Sequence, residues 1–176
     1  KGTKLAILNA TTDEKHVGSI LAESGSPGSA AIGDPIDFIE RVAALARTVD
    51  VVIVNLHWGF EYFHNPAPEQ VDFCRRLAVA GATLVIGHHP HVYQGIEQRG
   101  SSLIAYSLGN LLLSPLPATN GRIQYRKPAT RQFILLRTHI NKHQLVAWDL
   151  VGGFWNRRYQ LIPYSGLKKI DFDEAI

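Results

Sequence analysis

A chain of 176 residues with 45% apolar content is long enough to bury a core of its own, and one domain over residues 1–176 is the expectation at this size. The formal charge of +3 comes from basic residues scattered as pairs (Arg75-Arg76, Arg126-Lys127, Arg157-Arg158, Lys168-Lys169) rather than as a stripe, which argues against nucleic acid as a partner. The single cysteine, Cys74, excludes an intrachain disulfide, and no apolar run nears the roughly 20 residues that cross a bilayer.

Residues 4–10, KLAILNA, form a compact apolar run of strand length, and the Gly, Ser and Pro content of residues 11–33 reads as a loop. Asp34 and Pro35 then open a helix as N-cap and first-turn residue, with Ile39, Val42, Ala43, Ala46 and Val49 recurring at helical spacing. Residues 50–59, DVVIVNLHWG, are a nearly unbroken β-branched run, the pattern of a strand covered on both faces, with His57 at its end. A second helix starts at Pro66 and Pro68, carries Phe73, Cys74, Leu77 and Ala80, and ends at Gly81 in the C′ position; Cys74 is expected there as a buried thiol. Residues 83–87, TLVIG, form another buried strand that runs directly into GHHPHVYQ. Residues 102–110, SLIAYSLGN, continue as a further strand. Residues 131–140 and 144–152 flank Asn141-Lys142-His143 as an antiparallel hairpin, and residues 158–164 suit one more strand.

Strand, helix, strand, helix, strand with short connections predicts an α/β fold with parallel pairing, in which ligands bind beyond the carboxyl ends of the strands. The chain holds no methionine and begins within a strand pattern, so it is expected to be a fragment of a longer protein, with any anchor outside it.

Histidine chemistry concentrates at that rim. In an extended segment, residues two apart project to one side, so His89 and His91 can converge on a metal ion while His88 faces away or toward a substrate. Pro90 favours extended geometry before it, and imidazole is the commonest neutral metal ligand. One solitary histidine would more often be a solvated loop residue; three in five positions at a strand end reverse that preference. His57 adds a third ligand from the neighbouring strand. Glu61, four residues on, is a further ligand, a general acid or base, or an exposed loop charge. His88 is the other candidate for proton handling. Ser107 and Asn110, around a glycine turn, suit contact with an anionic or carbonyl group of a substrate. Trp58 reads as core or pocket wall, and His16, His64, His139 and His143 as surface or packing residues.

HWGFEY at 57–62, AGATLVIGHHPHVYQGIE at 80–97 and IAYSLGN at 104–110, in that order and spacing, resemble the signature run of the bacterial CapA/PgsA-type capsule and poly-γ-glutamate synthesis family. The resemblance is strong over about residues 50–110. It implies a metallophosphoesterase-like (calcineurin-like) fold, a layered sheet sandwich flanked by helices with a divalent-metal centre (Mn, Zn or Fe) at the strand ends. His57 then matches a ligand-type histidine after a central strand, and His89 with His91 match the pair of a Gly-His-x-His element. An extra residue follows Gly87, so either His88 or His89 takes the first position. The family's upstream Gly-Asp strand end, second aspartate and Asn-His element have no counterpart among these residues, so the chain is expected to be the C-terminal part of such a domain, lacking its N-terminal half and holding half of a two-metal centre.

Two functional expectations follow. One is a metal-dependent hydrolase-like site acting on a phosphate ester or γ-glutamyl amide. The other is a non-catalytic component that binds an anionic extracellular polymer or its precursor within a capsule-synthesis membrane complex at the cell envelope, on its extracellular or periplasmic face.

Overall fold

A computed structural model describes residues 2–12, 20–113, 116–117, 123–124, 127–141 and 144–164. In chain order the elements are β1 (Leu5–Thr11), α1 (Pro35–Ala46), β2 (Val51–His57), α2 (Pro68–Val79), β3 (Leu84–His88), β4 (Ile96–Arg99), β5 (Ser102–Ala105), β6 (Leu116–Pro117), β7 (Ile123–Gln124), a 3₁₀ turn (Pro128–Arg131), β8 (Gln132–Asn141), β9 (Gln144–Trp155) and β10 (Leu161–Pro163). The fold is α/β, as expected. Its main sheet has the order β1-β2-β3-β5-β4, parallel from β1 through β5, with β4 antiparallel at the edge. A three-stranded antiparallel sheet, β10-β9-β8, contains the expected hairpin, and β6 pairs with β7.

Local chemistry starts both helices where the sequence indicates. Asp34 Oδ1 accepts from the amides of Ile36 at 2.7 Å and Asp37 at 3.3 Å, satisfying donors that the first turn leaves open. In α2, Pro68 occupies the first turn and Ala67 N donates to the Gln70 side chain at 3.0 Å. Gly81 follows with φ of 105°, a conformation that ends a helix and that glycine adopts without strain. Because β1, β2 and β3 advance in one direction across the sheet, right-handed crossovers put both helices on the same face. Val52, Val54 and Leu56 of β2, Val85 of β3 and Ile104 of β5 meet Phe38 and Val42 of α1 and Phe73, Cys74 and Leu77 of α2 in one cluster. Leu56, Leu77 and Val42 are fully buried, each stabilising by about 1.5–3 kcal/mol relative to exposure.

The expectation that β2 is covered on both faces needs correction. Among the described residues the helices cover one face. On the other, coverage falls off along the strand: Val51 is fully buried, Ile53 and Asn55 are half-buried and His57 is exposed, while Leu5 and Ile7 of the edge strand β1 are 45% and 54% exposed. The β-branched run made the strand certain but not its layers. The strand of residues 102–110 also ends early. β5 stops at Ala105, and its continuation pairs with the loop after β3 through the bridge Tyr93 to Leu108 and reaches the second sheet through the bridge Gly109 to Phe133. Likewise the strand at 158–164 is confined to 161–163. His16 and His143 lie outside the described residues, as do residues 114–115, 118–122 and 125–126. No described helix is long and apolar enough to cross a membrane.

Candidate metal centre

Strand register assembles the rim. Thr11, His57 and His88 are aligned at the carboxyl ends of β1, β2 and β3. Leu56 faces the helical core, so alternation sends His57 and its partner His88 to the opposite face. His57 and the 89/91 pair are thus on the same rim, and the ring centroids of His57 and His89 are 4.9 Å apart.

Convergence of His89 and His91 does not come from extended geometry. β3 ends at His88, and the backbone then turns through positive φ at His89 (100°) and His91 (60°). Histidine is among the side chains that tolerate this region best, yet such positions cost on the order of 1–3 kcal/mol and persist only where their surroundings enforce them. The surroundings here do so. Pro90 is fully buried between the two histidines, its carbonyl accepts from Tyr62 N at 2.8 Å, and the His88 carbonyl accepts from Trp58 N at 3.0 Å. Gln94, 4% exposed, donates to Phe63 O at 2.9 Å and fastens the loop after β2 against the loop after β3.

That fastening delivers Glu61. Its Oε1 lies 3.8 Å from His91 Nε2, and Glu61, His89 and His91 each offer one ligand atom, all within 4.8 Å of one another. Donors bound about 2.2 Å from one ion are at most about 4.4 Å apart, so small side-chain adjustments bring the set around a cation. The donors, two imidazoles and a carboxylate, suit Zn, Mn or Fe. Glu61 is therefore placed as a ligand candidate as much as an acid or base. The ring of Tyr62, itself at φ of 69°, is 6.2 Å from that of His91, and Lys127 Nζ lies 5.2 Å over Tyr62.

His88 stands outside that three-residue group. Partial burial and then the neighbouring His57 push its pKa below the ordinary imidazole value, favouring the neutral ring. Ser107 is 1% exposed and donates its hydroxyl to Val92 O at 2.8 Å, so it braces the loop rather than facing a substrate. Asn110 is engaged through both ends of its amide, with Oδ1 2.9 Å from His91 Nδ1. These two residues fit a supporting role better than the substrate contact expected of them. Trp58 is 6% exposed in the core, and His64 sits edge-on to Tyr93 at 5.9 Å. Cys74 is buried, which pushes its thiol up to about 12 and leaves it unreactive.

Lys127, in the sequence only half of a scattered basic pair, and Thr130 also reach the rim. Both come from the segment before β8, brought to the rim by tertiary structure, and no local pattern marks them. Tyr62 lay inside the HWGFEY run but carried no signal of its own.

Fold and rim together define an α/β domain with a histidine–carboxylate cluster at the ends of its parallel strands. The family model "Bacterial capsule synthesis protein PGA_cap" matches residues 1–114, and the chain belongs to that family. It is 32% identical over 129 residues to the PGA biosynthesis protein CapA of Bacillus subtilis, covering 73% of this chain and 32% of that protein. Its identity to the capsule biosynthesis protein CapA of Bacillus anthracis is 33% over 115 residues, covering 63% and 27%. A probable polyglutamine synthesis accessory protein of Mycobacterium tuberculosis is 34% identical over 113 residues, covering 54% and 30%. The chain thus spans about a third of the length of the curated relatives it matches.

Proposed function

We propose that this chain serves bacterial capsule or poly-γ-glutamate synthesis through a divalent-metal site formed by Glu61, His89 and His91 with His57 beside them. The observation that carries this reading is the convergence of one carboxylate and two imidazoles within 4.8 Å on two loops fastened to each other. A divalent ion held there supplies Lewis acidity and lowers the pKa of water. His89, His91 and Glu61 would hold the ion, with the His57 ring 4.9 Å from that of His89 beside them. His88, largely neutral and on the same face, accepts or returns a proton at its ring nitrogen. The chemistry that such a set supports is hydrolysis or transfer at a phosphate ester or a γ-glutamyl amide. The setting is the cell envelope, on its extracellular or periplasmic side, in a membrane complex that handles an anionic polymer. The printed names of the Bacillus relatives support the capsule context, and the rim residues support the metal chemistry.

A second reading has its own observation. Glu61 is the single carboxylate in the described cluster, whereas a two-metal centre needs carboxylate to bridge its ions. On this reading the chain is a non-catalytic component that binds the polymer. Metal analysis of the purified chain, phosphodiesterase and γ-glutamyl hydrolase assays, and polymer binding with and without chelator separate the two. Stoichiometric Zn, Mn or Fe with activity lost in His89→Ala supports the hydrolase. Polymer binding that survives both chelator and His89→Ala, with no turnover, supports the binding component.

A further inference from the structure

The amide of Asn110 is oriented without ambiguity. Its Nδ2 donates to two main-chain carbonyls, His91 O at 3.1 Å and Thr130 O at 2.9 Å. A carbonyl only accepts, so both amide hydrogens are used and Oδ1 is the atom that faces His91 Nδ1, at 2.9 Å. An amide oxygen also only accepts. The hydrogen in that contact therefore belongs to Nδ1, and a neutral His91 carries its lone pair on Nε2.

Nε2 is the atom 3.8 Å from the Glu61 carboxylate. At that distance an Nε2 lone pair and a carboxylate oxygen repel unless a proton on Nε2 or a metal cation stands between them. We propose that Asn110 is a positioning residue of the metal centre: it selects the Nδ1–H tautomer of His91 and thereby presents Nε2 as the ligand atom. The metal half of this proposal rests on the reading of His91 as a ligand; the tautomer half does not.

The clamp is built for the purpose. Gly109, at φ of 72°, turns the chain where a Cβ would lie 2.7 Å from the Gln132 carbonyl, so this tight turn is open to glycine alone. Asn110 N reaches Gln132 O at 3.3 Å. Thr130, 2% exposed, donates its own hydroxyl to Lys127 O at 2.8 Å and so holds the carbonyl that Asn110 needs. The 3₁₀ turn at Pro128–Arg131 thus sets the orientation of a histidine 39 positions earlier, from a part of the chain beyond residues 1–114 that the family model matches. An amide is suited to this task because it accepts from Nδ1 without adding a negative charge, leaving the charge balance of the site to Glu61.

The test uses the full chain, labelled with ¹⁵N-histidine and freed of metal, at a pH above the ordinary imidazole range. Long-range ¹H–¹⁵N correlation is expected to show His91 as the Nδ1–H tautomer in the wild type and a shift toward Nε2–H in Asn110→Ala. Wild-type His91 found as Nε2–H, or a tautomer unchanged in Asn110→Ala, overturns the proposal; the first of these needs no variant to fold. Zn and Mn titrations then read the metal half, with affinity expected to fall about 10- to 100-fold in Asn110→Ala. Full affinity in Asn110→Ala overturns the positioning role. The expected tautomers with no metal bound even by the wild type uphold Asn110's hold on His91 and instead overturn the reading of the site as a metal centre.

Discussion

His57 and His88 are register partners at the ends of β2 and β3, yet it is His89, off the strand, whose ring approaches His57 to 4.9 Å. Of the two histidines after Gly87, the structure brings His89 into the group with Glu61 and His91 and leaves His88 on the sheet face. His89→Ala is expected to lower Zn or Mn affinity by more than the roughly 10- to 100-fold typical of losing an outer partner of a ligand. His88→Ala should retain affinity within a few-fold and lose activity if it relays protons. Calorimetric titration of both variants decides it, and equal losses would mean that the loop rearranges on binding.

Gly87 lets β3 carry that loop. A Cβ there would run into the Tyr106 main chain, 2.7 Å from its carbonyl carbon, and come within 3.3 Å of Trp58 Nε1. Backbone directly after β5 cannot give way as a flexible side chain does. Gly87→Ala is therefore expected to destabilise by about 1–3 kcal/mol, the range of overpacking in a tight core. Urea unfolding measures this, and a change below about 0.5 kcal/mol would show that the two strands separate without cost.

Much of this architecture was legible in local chemistry, because the features that start and stop elements are local. Asp34 capping α1, Gly81 ending α2 and the hairpin around Asn141 all follow from residues within a few positions of each other. What long-range packing decides was not legible. β-branched residues at 51–54 fit a strand whether one face or two are covered, so the partial cover on the second side of β2 had no signature. The candidate site divides in the same way. His57, His89, His91 and Glu61 stood out as residue types at a strand end, but the positive φ of His89 and His91 depends on how Pro90 is buried. Asn110 was visible and its role was not, since its amide is oriented by Thr130, twenty positions on in a different sheet's approach.

Asp34 offers a control far from the rim. Its carboxylate accepts from two amides in the first turn of α1, and α1 packs on the helical face of the sheet, away from His57. Asp34→Ala should cost about 1 kcal/mol in urea unfolding while leaving metal affinity unchanged. A drop in metal affinity would reveal coupling between α1 and the strand ends that the packing does not suggest.

Glu97 supplies a dependence on pH that is independent of the histidines. Burial on β4 would raise its carboxyl, but hydrogen bonds from Arg75 Nε at 2.9 Å and Tyr106 OH at 2.8 Å, with the charges of Arg75 and Arg99, outweigh burial and hold it below the usual carboxylate range. Tyr106 is pushed up in turn, first by burial and then by its bond to Glu97. The unfolded chain, with an ordinary glutamate near 4.3, takes up its proton before the folded chain does as acid is added. The stabilisation is thus complete above about pH 5 and is lost as pH falls through the lowered folded value. Glu97→Gln should cost about 1–2 kcal/mol at neutral pH, a figure reduced because Arg75 is exposed to solvent. The gap between wild type and variant should close as pH falls through the lowered folded value of Glu97, below which both carry a neutral side chain. Urea unfolding across that range provides the measurement. A gap that stays constant would mean that Glu97 acts through packing, and one that widens in acid would reverse the sign of its linkage.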